Sequence, residues 1–150
     1  MVYGFCDASR LKPSLEALPV AQQRLLVEDQ VVNPGQRLTL LEVLNRRGTL
    51  DLAAVIFSSG NPDQLVLELW FDGVMEEWCP LHVHDWLKLT QAGQAIHSQE
   101  WDEVNNRYGM LLGVRRFFSD SLKVSLNNKH TVDPHICHYL LAIYGVFPQT

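Results

Sequence analysis

The sequence predicts an α+β fold, with helices at both ends of the chain around a small antiparallel sheet. Toward the start, an amphipathic run over 20–32 follows a proline, which is preferred at the first residue of a helix. Toward the end, Asp133 and Pro134 precede an apolar run over 135–144, as an N-cap and a first helical residue would. Between the two, the alternating residues 122–126 are typical of a strand. An all-α bundle is the alternative fold.

The first third of the chain is predicted to contain two helices. The helix over 20–32 ends at 33–35 (Asn-Pro-Gly), because Pro removes a backbone donor and Gly permits positive φ. Thr39 and Glu42 match a capping box, in which each side chain satisfies the other residue's backbone donor. This pattern predicts a second helix that ends at Gly48.

Two apolar segments, 52–57 and 65–71, permit two interpretations. Their β-rich composition favours a hairpin of two strands around the intervening turn. The alternative is a helix that begins with Asn61 as N-cap and Pro62 as first residue, and ends near Gly73. Periodicity does not separate the two interpretations for such short runs. We favour the hairpin.

The following region is predicted to contain a helix and then a second ambiguous segment. Pro80 is expected to open a helix that carries Trp86 toward the core. Apolar residues within 101–118 fit one helical stripe, but Asn106 and its neighbour Asn105 are typical of a hairpin turn.

The composition indicates one soluble domain. With 150 residues, of which 47% are hydrophobic, the chain suits a single globular domain over 1–150. Its start lacks the basic and apolar runs of a secretory signal, and its longest apolar runs fall short of the roughly 20 residues that cross a bilayer. The three cysteines show no disulfide-framework spacing. We therefore expect a cytoplasmic protein, in a cell or an infected host cell, with no membrane association.

Acidic residues and tryptophans share one stretch of the chain. Residues 48–106 hold ten acidic residues and one basic residue, a net charge of −9, whereas the remainder holds seven acidic and eleven basic residues, a net charge of +4. All four tryptophans lie in the acidic stretch: Trp70, Trp78, Trp86 and Trp101. Tryptophan is enriched among the residues that dominate interface energetics, and negative charge accelerates the encounter with a basic surface.

The leading hypothesis is a small, non-enzymatic protein that binds another protein, of the inhibitor, immunity, chaperone or viral accessory type. The acidic, tryptophan-rich surface would bind a basic partner, with no cofactor, through Trp70, Asp72, Glu76, Glu77, Trp78 and Trp86. Acidic and basic regions of two copies that meet across an interface would give a homodimer. The net charge of −5 does not favour binding to nucleic acid.

A zinc-binding protein is the first alternative. Zinc is often held by two chelating pairs of Cys and His, and the chain offers two such pairs at a spacing of three. The first is Cys79 with His82, and the second is His135 with His138. On a helix the second pair would share one face.

A cysteine-dependent hydrolase is the second alternative. Cys79, with His82 or His138 and Asp85, contains the residue types of a thiol triad. No family-type signature surrounds any cysteine, and the phosphate-binding glycine motifs of nucleotide enzymes are absent from the sequence.

Overall fold

Nine β-strands and one short 3₁₀ turn form the part of the chain that the computed structural model describes, residues 22–79 and 96–148. The turn spans Pro62–Gln64. The strands are β1 Gln22–Val32, β2 Arg37–Leu44, β3 Gly48–Ser58, β4 Leu65–Phe71, β5 Val74–Trp78, β6 Ile96–Asp102, β7 Arg107–Phe118, β8 Ser121–Asn128 and β9 His135–Val146.

The strands form two antiparallel sheets that pack face to face. The five-stranded sheet has the order β1-β9-β3-β7-β6, and the four-stranded sheet has the order β2-β8-β4-β5. Side chains alternate across each strand, so one face of each sheet points into the sandwich. The core contains Leu65, Leu67 and Leu69 of β4 together with Val55 and Phe57 of β3, all of them buried. The opposite face of each sheet is therefore the outer surface of the sandwich.

The predicted helices at both ends are wrong. Residues 20–32 and 135–144 largely form β1 and β9, which pair along ten positions from Gln22–Gly145 to Val32–His135. The residues interpreted as helix caps, such as Asp133 and Pro134, are also common in the loop that precedes a strand. Pairing between the two strands, and for β9 burial in the core, then overrides the local preference for a helix.

The predicted capping box is wrong for the same reason, and so is the all-α alternative. Thr39 and Glu42 lie within β2 and pair with Ser125 and Lys123 of β8. The part of the chain that the structure describes contains no α-helix. It accordingly holds no helix of the length and hydropathy needed to cross a membrane.

The predictions of strand structure in the middle of the chain are closer to the observed fold. Residues 122–126 lie within β8, and 101–118 contain the β6–β7 hairpin, with Asn106 at φ 52° in its turn. The segments 52–57 and 65–71 are both strands, but they belong to different sheets and form no hairpin. The helix predicted to begin at Pro80 lies outside the described residues.

One glycine lets β9 approach β3 closely. At Gly48, a Cβ atom would lie 2.1 Å from the carbonyl oxygen of Gly145 and 2.6 Å from the ring of Phe118. No side chain fits there without moving backbone. Gly48 therefore sets how closely the first residue of β3 approaches the end of β9.

Candidate functional site

A buried carboxylate lies on the outer face of the four-stranded sheet. Within β4 the odd-numbered residues face the core, so Glu68 and Trp70 point the other way. Glu68 is nevertheless 0% exposed, which is rare for a charged side chain unless it is paired. The residues around Glu68 are therefore the first place to look for a functional site on this face.

Glu68 accepts hydrogen bonds from three side chains on neighbouring strands. Arg37 Nε and Nη2 donate to its two oxygens at 2.7 and 2.9 Å, a bidentate ion pair. Ser125 Oγ donates at 2.9 Å and Asn127 Nδ2 at 3.1 Å. Burial raises the pKa of the Glu68 carboxyl. The hydrogen bonds, chiefly from Arg37, lower the pKa by more than burial raises it, so the pKa of Glu68 is below its ordinary value. Glu68 is therefore ionised and fully engaged.

Trp70 is fixed beside this network by three contacts. Its Nε1 donates to Ser125 Oγ at 3.1 Å, and that same oxygen donates to Glu68. Lys123 Nζ lies 4.1 Å from the centroid of the indole ring, and Arg37 Cζ lies 5.7 Å from it. The half-buried indole is thus held in one orientation before any partner arrives.

A cavity of about 210 Å³ opens next to the indole. Its lining includes the exposed side chain of Leu44 and the polar side chains of Glu42 and Lys123. We call this region the Trp70 face and define it by Arg37, Glu42, Leu44, Glu68, Trp70, Glu77, Lys123 and Lys129. It offers one aromatic anchor, one apolar neighbour and a set of charges of both signs.

Alternation along β5 divides the acidic residues and tryptophans that the sequence grouped together. Glu77 lies on the outer face and pairs with Lys129 at 2.6 Å. Glu76 and Trp78 lie on the other side, where both line a cavity of about 180 Å³ between the sheets. Trp78 packs against the core, and within residues 22–79 and 96–148 its buried Nε1 has no hydrogen-bond partner. Glu77 and Trp78 therefore point to opposite faces.

Asp72 has a structural role in the turn between β4 and β5. Its carboxylate accepts hydrogen bonds from the backbone N–H groups of Ser119, Asp120 and Ser121 and from the hydroxyl of Ser119. These donors, led by the Ser119 N–H, lower the pKa of Asp72 to about 2. The side chain thereby ties the β4–β5 turn to the β7–β8 turn.

The other two tryptophans do not extend the Trp70 face among the described residues. Trp101 lies on the five-stranded sheet, where it packs against the core and contacts Tyr108 edge-on with ring centroids 4.7 Å apart. Trp86 lies outside the described residues.

The charge asymmetry of the sequence is neutralised in part by contacts within the fold. Three carboxylates of the acidic stretch pair with bases from outside it: Glu68 with Arg37, Glu76 with Arg116, and Glu77 with Lys129. The sandwich brings these distant segments side by side. Three of the ten acidic residues in this stretch are therefore already paired with a base before a partner binds.

The second pair of the predicted zinc site, His135 and His138, does not share one face as it would on a helix. His135 faces the interior near Phe57, with ring centroids 6.3 Å apart, whereas His138 lies on the outer face of the five-stranded sheet. Cys79 is buried and its Sγ donates to the carbonyl of Pro62 at 3.4 Å, while His82 lies outside the described residues. Within residues 22–79 and 96–148, no three His, Cys, Asp or Glu side chains form a group that would hold a metal ion.

The thiol-triad residues show a similar separation. Cys79 lies next to the turn at Pro62, directly after the edge strand β5 of the four-stranded sheet, whereas His138 lies in β9, an inner strand of the five-stranded sheet. Asp85 lies outside the described residues. Burial raises the pKa of the Cys137 thiol to about 12, which suppresses its thiolate form.

Sequence reasoning missed most of the Glu68 network. The side chains around Glu68 and Trp70 come from β2 and β8, and nothing in the sequence predicts that these strands lie beside β4. They are Arg37 of β2 and Lys123, Ser125 and Asn127 of β8. One signal was available: Glu68 interrupts an otherwise apolar strand, and a charge at such a position requires a partner.

Structural similarities of this chain to known proteins include two weak ones to proteins of Aeromonas sobria. No protein-family model matches the chain, and no curated protein matches it. The crystal structure of the serine protease of Aeromonas sobria matches with a TM-score of 0.38 and 13% identity, over 85% of this chain and 27% of that chain. The crystal structure of the Aeromonas sobria serine protease and chaperone complex matches with a TM-score of 0.40 and 11% identity, over 94% of this chain and 30% of that chain. Because the chain spans less than a third of each matched chain, we base the proposed function on the geometry of the site.

Proposed function

We propose that the chain binds a protein partner through the Trp70 face. The observation that carries the proposal is the indole of Trp70, half-buried on an outer sheet face and fixed by Ser125, Lys123 and Arg37. A rigid aromatic side chain loses little conformational entropy on binding, and tryptophan is enriched among the residues that contribute most to affinity. The adjacent cavity, with the exposed Leu44 at its border, accommodates an apolar side chain of the partner.

The charges of this face favour specificity over long-range attraction. The Trp70 face has three acidic and three basic residues, so its formal charges balance. The acidic residues are Glu42, Glu68 and Glu77, and the basic residues are Arg37, Lys123 and Lys129. Such a surface selects a partner with complementary polar groups but accelerates the encounter little. The basic partner that the sequence predicts, and the homodimer, stay predictions.

Partner capture with the full chain tests this proposal. Wild-type protein and a Trp70→Ala variant, each tagged, are used to isolate binding proteins from the native source at low and moderate salt. We expect Trp70→Ala to lose the specific partner, because removal of a central indole costs about 2 kcal/mol or more, roughly a thirtyfold loss of affinity. Sedimentation velocity of the wild-type chain tests the homodimer.

A matched variant separates loss of the anchor from loss of exposed apolar surface in general. Phe117→Ala removes an exposed aromatic side chain from the five-stranded sheet, and we expect it to retain the partner. Thermal melting establishes that both variants are folded. The proposal is wrong if folded Trp70→Ala retains the partner, or if Phe117→Ala loses it to the same extent.

A further inference from the structure

Three polar side chains form a row on the outer face of the five-stranded sheet. They come from the adjacent strands β1, β9 and β3: Asp29, His138 and Ser58. His138 Nε2 makes a hydrogen bond with Ser58 Oγ, and His138 Nδ1 lies 3.9 Å from Asp29 Oδ1. The two ring nitrogens therefore face a hydroxyl on one side and a carboxylate on the other. This is the order of groups in a serine–histidine–aspartate triad.

Two backbone irregularities meet at this row. Phe57 pairs with Cys137 and Ile56 with Tyr139, so His138 is an extra residue in β9 relative to β3, a β-bulge. In the neighbouring strand, Asp29 has φ of 52° in the middle of β1. Bulges re-aim side chains and are frequent beside active sites, and non-glycine residues with positive φ concentrate at functional sites. The two irregularities fall at His138 and Asp29, two of the three members of the row.

The row is open to solvent and has an apolar neighbour. The side chains of His138 and Asp29 are 32% and 85% exposed. Along the strand register, Ser58 lies opposite Ile136, which in turn lies opposite Val31, and these two apolar residues are 38% and 53% exposed. They provide a surface for a short acyl chain next to the hydroxyl.

A positive charge lies on the other side of Ser58. Arg107 of β7 is its directly paired residue, and directly paired residues project to the same face of a sheet. On its other side Arg107 pairs with Asp102 of β6, so its charge is shared with that carboxylate. The serine is therefore placed between an apolar surface and a cation.

We propose that Ser58, His138 and Asp29 form a catalytic site that hydrolyses small esters with a short apolar acyl group. This activity is independent of the Trp70 face, which lies on the other sheet. Ser58 is the nucleophile and His138 the general base. Asp29 is a positioning residue, because its charge favours the tautomer with the proton on Nδ1 and leaves Nε2 free to accept the serine proton.

The reaction needs only the ester and water. Ser58 Oγ forms a bond to the ester carbonyl carbon while its proton passes to His138 Nε2. The bond from that carbon to the alcohol oxygen then breaks, and the alcohol takes the proton from His138. Water, activated by the same histidine, attacks the acyl-serine, which releases the carboxylic acid and restores the Ser58 hydroxyl.

Labelling of the full chain with a fluorophosphonate tests the nucleophile. We expect the native protein to be modified at Ser58, located by mass spectrometry of peptides, and the heat-denatured protein not to be modified. Hydrolysis of p-nitrophenyl butyrate supplies the second measurement. We expect Ser58→Ala and His138→Gln to reduce the protein-dependent rate to that of buffer.

Asp29→Asn distinguishes positioning from a structural role. Asn tolerates positive φ, so the backbone of β1 is retained while the charge is lost. We expect kcat to fall about tenfold or more with KM unchanged, and Asp29→Glu to recover part of the rate. Ser121→Ala, an equal deletion on the other sheet, should leave both labelling and hydrolysis unchanged. The proposal is overturned if native protein is not labelled at Ser58, or if Ser58→Ala hydrolyses the ester as fast as wild type.

Discussion

His135 makes the stability of the sandwich depend on pH in a way that one substitution can isolate. Its side chain is 1% exposed, it lies beside Phe57, and its Nε2 has no hydrogen-bond partner among the residues that the structure describes. Burial, reinforced by the nearby His130 and opposed by Asp133, lowers the pKa of His135 to about 4. The native state therefore keeps a neutral imidazole where the unfolded state binds a proton, at a pKa of 6.5.

The sign and size of the effect follow from this difference. The pKa of His135 is lower in the folded state than in the unfolded state, so protons bind preferentially to the unfolded state. His135 therefore does not reduce the free energy of unfolding above pH 6.5, and reduces it progressively as the pH falls from 6.5 toward 4. At about 1.4 kcal/mol for each unit, the free energy of unfolding decreases by about 1 kcal/mol at about pH 5.5 and by about 3 kcal/mol near pH 4.

Urea unfolding of wild type and His135→Leu measures this effect. Tryptophan fluorescence is followed at about pH 7, 5.5 and 4.5, and unfolding free energies are compared at equal m-values. We expect wild type to lose stability relative to His135→Leu as pH falls, because the leucine side chain cannot bind a proton. The carboxyls of Glu68 and Asp72 are present in both proteins, so their titration cancels in the difference. Equal pH dependence in the two proteins over this range would refute the reasoning.

Two further substitutions test the fold and the site. Glu68→Ala removes the common acceptor of Arg37, Ser125 and Asn127, and we expect a loss of about 2 kcal/mol in urea unfolding, since Arg37 is half-exposed and regains water. The matched variant Glu77→Ala, which breaks an exposed pair, should cost at most about 1 kcal/mol. Gly48→Ala places a Cβ 2.1 Å from the Gly145 oxygen and should lower stability by about 3 kcal/mol or more, whereas Gly60→Ala meets only a side-chain oxygen at 4.0 Å and should be tolerated.

Strict alternation of apolar and polar residues predicted a strand correctly. Capping residues and an apolar composition are compatible with both a helix and a strand, and there the predicted helices were wrong. Residues 122–126 alternate with one buried face, and they form a strand. In β9, by contrast, the bulge at His138 breaks the alternation of buried residues, so the apolar positions drift out of the two-residue period and imitate a helix. Local pattern does not encode such a bulge, because it arises from pairing with β3.

The candidate site was predictable only in part, for a similar reason. Trp70 could be named from its residue type, but its contacts with Lys123 and Ser125 depend on the pairing of β4 with β8. Once β5 is known to be a strand, alternation alone separates Glu77 from Trp78. Residues 48–106 do carry an excess of acidic residues. The basic residues that pair with three of them lie outside this stretch, and only the three-dimensional fold brings them close.

The position of β9 between β1 and β3 has a consequence for how the protein is made. β1 and β3 do not pair with each other, and Gln22 meets Gly145 more than a hundred residues further along the chain. A ribosome therefore releases β1 long before β9, its neighbour in the sheet, has been synthesised. Until β9 arrives, both strands present unpaired edges, and closure of this sheet is a late, non-local event of the kind that makes folding slow. Nascent chains that stall before position 135 would be the species most in need of a chaperone.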